Sequence, residues 1–173
     1  MVVAIAVLAN RYAAPELSGR PRVVDGDSLA FGADRVRLYG IDAPELAQTC
    51  DRDGATVACG RMARAHLRNL AGESTKCVGV GIDRYDRILA RCQSGGNDLN
   101  AAMVRDGWAV DAGEYAAEEQ LARRGRSGLW AMRFDSPQAW REAHPRPADA
   151  EAGPRLTASI RAVLMAVRNW LGW

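Results

Sequence analysis

RVVDGDSLAFGADRVRLYGIDAPE, residues 22–45, carries the alternation on which the fold turns. Val23 and Val24 lead into Asp25-Gly26-Asp27, a tight-turn signal of the kind that joins two antiparallel strands. Ser28 to Phe31 return, Gly32-Ala33-Asp34 turn the chain again, and residues 35–39 alternate polar and apolar. Successive side chains of a strand point to opposite faces, so Val36 and Leu38 share one face while Arg35, Arg37 and Tyr39 share the other. The chain then leaves the strand through Gly40-Ile41-Asp42-Ala43-Pro44-Glu45, where two carboxylates straddle a proline-stiffened turn.

Downstream, residues 60–70 place Ala63, His66, Leu67 and Leu70 on one helical stripe. Cys77 and Cys92 flank VGVGIDRYDRILAR, which reads as two strands about a turn centred between Arg84 and Tyr85. Seven residues outward on each side, the two cysteines come out directly opposite. Cross-strand Cβ atoms lie at about the separation a disulfide needs. The spacing therefore favours Cys77 with Cys92, leaving Cys50 and Cys59 to close the small loop between them. Zinc is the competing reading. It is disfavoured because there is no C-x-x-C pair and because His66 and His144 lie in unrelated contexts. Two disulfides imply an oxidising compartment.

Asp98 has the character of an N-cap for a helix over residues 99–105, stopped at Gly107. Residues 116–124 predict another helix ending near Gly125, and Ser136-Pro137 opens a last short one. Five short strands with a helix between the third and fourth, and helices at the end, suggest a small closed barrel with helical packing. There is no internal repeat.

The two ends read differently. Residues 1–9, MVVAIAVLA, are apolar but too short to span a membrane. They suit the centre of a secretory signal, so residues 1–19 are read as an export segment or N-terminal extension. Residues 20–143 form the domain. The prolines of 144–155 mark a linker, and 156–173 predict a basic amphipathic helix. Packing on its own domain or a sister subunit is the plainer reading of that helix, and peripheral membrane contact is the alternative. The chain has 173 residues with 48% hydrophobic and 25% charged, which excludes collagen, wholesale disorder and a polytopic membrane protein. A net charge of +2 does not by itself advertise nucleic-acid binding. All of the 23 basic residues except Lys76 are arginine, a bias toward the side chain whose planar fork matches phosphate oxygens.

Three patches carry chemistry: Val24-Asp25-Gly26-Asp27-Ser28, the Arg37 to Glu45 stretch, and Asp83-Arg84-Tyr85-Asp86-Arg87. Each alone is an ordinary turn or a solvated hairpin tip. Together they supply hard oxygen ligands, a spare carboxylate and guanidinium groups. That inventory suits metal-assisted cleavage of a phosphodiester.

VVDGDS, RLYGIDAPE, DRYDR, the DLNAAMVRDGWA helix and the AR…GLW ending together resemble the staphylococcal nuclease (thermonuclease) family, in its order and near its spacing. The two cysteine pairs resemble those of exported bacterial members. The resemblance implies an OB-fold, a five-stranded β-barrel with about three packed α-helices. It implies calcium-dependent cleavage of DNA and RNA, single strands preferred, to 3′-phosphate ends. Arg37 and Arg87 match the catalytic arginines, and Glu45 matches the glutamate assigned as base for the attacking water. Asp27 and Asp42 match the carboxylate ligands of Ca2+, with the backbone carbonyl of Ala43 beside them and Asp25 behind. Tyr85 matches a tyrosine on the nucleotide phosphate. Arg84 joins it as substrate-binding, and Tyr115 is the surviving half of a tyrosine pair whose other position holds Gly113.

One departure is Asp86, where the family's hairpin tip carries glycine; an Asp can take the left-handed conformation at small cost. The resemblance leads to the expectation of an exported monomeric nuclease. Non-catalytic nuclease-like modules that bind nucleic acid or protein are the competing class. Such modules tend to lose the Arg/Glu/Arg set that Arg37, Glu45 and Arg87 preserve here.

Overall fold

The computed structural model describes residues 15–145. The apolar run at residues 1–9, the helix predicted over 156–173 and most of the 144–155 linker lie outside the described residues. The chain divides into two compact units, residues 1–140 and 141–173. The first is built on one mixed sheet.

The meander forms as the alternation predicts. β1 (Glu16–Gly19) and β2 (Arg22–Val23) are followed by β3 (Ser28–Phe31), β4 (Asp34–Leu38) and β5 (Ile41–Asp42). Val36 and Leu38 are fully buried while Arg37 stays partly exposed on the opposite face. β6 (Cys50–Arg52) and β7 (Ala55–Val57) make a small ribbon ahead of α1 (Cys59–Leu70). β8 (Thr75–Ile82), β9 (Ile88–Ser94) and β10 (Asn97–Asp98) lead into α2 (Leu99–Arg105). β11 (Val110–Asp111), α3 (Ala116–Gly125), a 3-10 turn at Gly128–Ala131 and α4 (Pro137–Ala143) complete the order. α4 raises the count among the described residues to four helices, against the three or so implied by the resemblance.

The sheet path runs β1-β8-β9-β4-β3-β2. Its two ends are consecutive in the chain, separated by Arg20 and Pro21 alone, so the sheet curls on itself into a half-barrel. Counted as one strand broken at Pro21, β1 and β2 bring the barrel to five. Proline cannot donate to a ladder, which is why the pairing changes partner there. Residues 16–19 fall within the stretch expected to be an export segment or N-terminal extension. They instead pair antiparallel with β8, Leu17 opposite Cys77. β4 and β9 pair parallel, with Arg37 beside Leu89. That pairing carries the start of β9, and with it Arg87, to the same region as Arg37.

Both cysteine pairs form disulfides, Cys50–Cys59 and Cys77–Cys92. Cys77 faces Cys92 as counted, but the turn is not where the symmetric count puts it. Gly79 pairs with Ala90 and Gly81 with Leu89, so Val80 is the extra residue of a bulge. The tip is therefore a loop centred on Tyr85 and closed by Asp83 N–H donating to the Arg87 carbonyl at 2.9 Å.

Leu29, Val36, Leu38, Ile41, Leu67, Leu99 and Met103 lie in one core and are almost wholly buried. Each side chain of this kind contributes about 1.5–3 kcal/mol by leaving water. Asp98 caps α2 by accepting from Ala101 N–H at 3.0 Å, and Ser136 does the same for α4 with Ala139 N–H at 3.2 Å. Gly26 serves close packing rather than turn geometry: a Cβ there would stand 2.7 Å from the Ala43 Cβ and 2.9 Å from that of Ala63. The Asp25–Asp27 loop is thereby seated against the strand exit and α1.

Candidate active site

The site forms where three segments meet: the β2–β3 loop, the exit of β4 into β5, and the β8–β9 tip. Arg37 projects from the solvent face of β4 and divides its guanidinium between two carboxylates. Nη1 lies 2.9 Å from Asp27 Oδ2, and Nη2 lies 2.8 Å from Asp42 Oδ1. Asp27 is held on every side. Its own N–H donates to Asp25 Oδ1 at 3.1 Å, Ser28 Oγ donates to its Oδ1 at 2.9 Å, and Ala43 N–H donates to its Oδ2 at 3.3 Å. Asp42 is fixed by the β5–β11 pairing, opposite Val110.

Ser28 links this cluster to the hairpin tip, with Arg87 Nη1 donating to its Oγ at 3.4 Å. The tip is organised by Asp83. Its Oδ1 accepts from Tyr85 N–H at 2.8 Å and from Arg87 N–H at 3.0 Å, and its Oδ2 receives Arg87 Nε at 2.7 Å. Burial pushes the Asp83 carboxyl up, but these bonds from Arg87 and Tyr85 outweigh it and hold the group below its ordinary value. Arg84 and Arg87 lie over the Tyr85 ring, 4.8 and 5.5 Å from its centre. Asp86 adopts φ 60°, the left-handed conformation its position calls for.

Glu45 leaves the proline turn and is half-buried. Its main chain is fixed from both sides: Gln48 N–H donates to the Glu45 carbonyl at 2.7 Å, and Glu45 N–H donates to Gln48 Oε1 at 3.2 Å. Gly60, near the start of α1, packs so closely that a Cβ would stand less than 2.5 Å from the Glu45 carbonyl oxygen.

Arg37, Asp27, Asp42, Asp25 and Arg87 are thus joined by hydrogen bonds, and Arg84 and Tyr85 sit on the same tip as Arg87. Tyr115 is not with them. It is 7% exposed and packs in the core, and its buried hydroxyl has no partner among the described residues. As placed it offers a substrate no ring face, and burial raises its hydroxyl pKa. Ser28 and Asp83 lie in the patches the sequence singles out but have no role of their own there, and Gln48 lies outside them. Asp83 carried a usable signal, an Asx turn to residues two and four ahead. Gln48 carried none.

The chain matches the family model described as staphylococcal nuclease homologue over residues 35–132. It is 33% identical over 139 residues to the succinoglycan biosynthesis protein ExoI of Rhizobium meliloti (strain 1021), covering 75% of this chain and 73% of that one. The chain belongs to the staphylococcal nuclease family. It is also 30% identical over 134 residues to an uncharacterized endonuclease of Haemophilus influenzae (strain ATCC 51907 / DSM 11121 / KW20 / Rd), covering 69% of this chain and 70% of that one. To the probable staphylococcal-like nuclease CAN1 of Oryza sativa subsp. japonica it is 33% identical over 123 residues, 67% of this chain but 35% of the larger plant protein.

Staphylococcal nuclease homologues generally depend on calcium, and the residues present fit that ion. Asp27 and Asp42 offer hard oxygen donors. One guanidinium serves both. Burial, reinforced by the charge and hydrogen bond of Asp25, outweighs the attraction of Arg37 and pushes the Asp27 carboxyl up to about 7. A divalent cation beside the Asp27 carboxyl would offset that cost of burial. Among the described residues no three acidic, histidine or cysteine side chains converge to hold a metal by themselves. The remaining ligands of a six- to eight-coordinate ion would have to be a main-chain carbonyl such as that of Ala43, and water.

Proposed function

We propose that this member of the family is a calcium-dependent phosphodiesterase that cleaves DNA and RNA, preferring single strands, to 3′-phosphate ends. The observation that carries the reading is the continuous chain Arg87–Ser28–Asp27–Arg37–Asp42, which joins three separate segments into one cluster of carboxylates and guanidiniums. Asp27 and Asp42 would hold the ion, which would supply charge neutralisation at the phosphoryl oxygens. Glu45 takes the proton from the attacking water. Arg37 and Arg87 bind the phosphoryl oxygens whose charge rises as the bond to the 5′ oxygen breaks. Arg84 and Tyr85 hold the neighbouring nucleotide, and Asp25 steadies Asp27.

The domain occupies residues 20–143 with β1 added. An apolar leader precedes it, and a linker and basic helix follow. The protein is exported and monomeric. The two disulfides support the oxidising compartment that this requires. Digestion of denatured DNA with calcium and with excess chelator tests the central claim. Cleavage should stop with chelator, and undiminished cleavage would exclude the metal role.

A further inference from the structure

We infer that Gln48 is a positioning residue for Glu45, an inference that rests on the proposed role of Glu45 as base. Gln48 is 0% exposed, an uncommon place for a side-chain amide in a loop. Each of its polar groups is used. Oε1 accepts Glu45 N–H at 3.2 Å, and Nε2 donates to the Asp135 carbonyl at 2.8 Å. Its main-chain N–H holds the Glu45 carbonyl at 2.7 Å, and its own carbonyl accepts Gly60 N–H at 3.2 Å and lies 3.6 Å from Cys59 Sγ. One residue therefore ties Glu45 to the start of α1 and to the segment before α4, 87 residues away. The Cys50–Cys59 disulfide closes the next loop, between Gln48 and the start of α1.

The loop would otherwise carry its carboxylate on a few exposed residues, Leu46 and Ala47 among them. Gln48 replaces that freedom with two bonds to the Glu45 main chain, its side-chain oxygen on the N–H and its own N–H on the carbonyl. A base must sit within hydrogen-bond reach of the proton it takes. A displacement of about 1 Å costs on the order of 10²-fold in rate.

The test uses two variants beside the parent and Glu45→Gln. Gln48→Leu removes both amide bonds while remaining buried and apolar. Its turnover at saturating calcium should fall on the order of 10²-fold at every pH, with oligonucleotide affinity unchanged. Gln48→Glu is the sharper probe. Its protonated carboxyl accepts from Glu45 N–H and donates to the Asp135 carbonyl as the amide does, whereas the ionised form accepts only and is buried charged. Besides the new carboxyl, the titratable residues on these bonds are Glu45 and Asp135, both joined through main-chain groups, and each rate is taken relative to the parent at the same pH. The ratio of Gln48→Glu to parent turnover should rise about ten-fold or more from pH 9 to pH 6. Thermal melts at each pH identify the folded samples. If Gln48→Leu does not fold, the ratio for Gln48→Glu decides alone. A flat ratio, or turnover and affinity lost together, overturns the inference. If Glu45→Gln itself retains parent turnover, the base assignment fails whatever Gln48 does. If Glu45→Gln is inactive while both Gln48 variants run at the parent rate, only the positioning role falls.

Discussion

Arg37 faces two carboxylates at 2.9 and 2.8 Å, and a lysine has no second arm with which to do the same. Arg87 is fixed at Nε by Asp83 and reaches Ser28 through Nη1. Both geometries belong to a planar fork. Arg37→Lys and Arg87→Lys should each lower turnover by about 10²–10³-fold, with oligonucleotide affinity within a few-fold of the parent. An interaction made only in the transition state shows in turnover and not in binding. Arg91→Lys is the control: Arg91 pairs with exposed Glu114 at 2.7 Å and stacks on Tyr39, away from the carboxylate cluster. Single-turnover rates and fluorescence anisotropy separate the two quantities, and equal mild effects at all three positions would leave the arginines only a general electrostatic role. At this scale Arg37, Asp27, Asp42 and Arg87 were legible because their spacing within short motifs is itself the signal. The burial of Tyr115 and of Gln48 was not legible, because burial of a single polar residue in a loop or at a helix start is decided by partners far along the chain.

The contact between α1 and the Glu45 loop sets one element-scale expectation. Alanine is the better helix former by about 1 kcal/mol, yet at position 60 its Cβ would collide with the Glu45 carbonyl. Gly60→Ala should therefore lose about 1–3 kcal/mol, as overpacked sites do. It should also lose turnover, because what must move is the loop that carries the base. Urea unfolding and steady-state rates check both. The hairpin tip gives a second. Asp83 and Asp111 each accept main-chain N–H groups, Asp83 those of Tyr85 and Arg87, Asp111 those of Gly113, Glu114 and Tyr115. For both, burial pulls upward and the hydrogen bonds prevail, so the folded carboxyls stay ionised below 3.8, where an unfolded chain's protonate. Their contribution is complete above that pH and is lost as pH falls below it. Urea midpoints should drop as pH falls below about 4. Asp83→Asn should flatten the fall, and a variant that keeps the parent slope would remove Asp83 from the account.

For the whole molecule, what was legible was local. The meander reads from Val36 and Leu38, α2 from Asp98, and the β8–β9 hairpin from Cys77 and Cys92. What was not legible was long-range: β1 on β8 and β4 parallel to β9 join segments whose registers leave no mark on either sequence. The same division governs stability. The core spans the barrel and the helices, so reducing both disulfides should cost toward the low end of about 2–5 kcal/mol each. The protein should stay folded, as far-UV circular dichroism and a guanidinium midpoint would show; complete unfolding on reduction would mean that the bridges, not the core, hold the barrel. The bridges have one further property. Cys50 joins Cys59 and Cys77 joins Cys92, each to the next cysteine along the chain, and neither loop encloses the other. Of the three pairings that four cysteines allow, this is the one reached by linking them in order of synthesis. A chain oxidised as it emerges, first cysteine to second and third to fourth, would arrive at its native bonds with no wrong bond to undo.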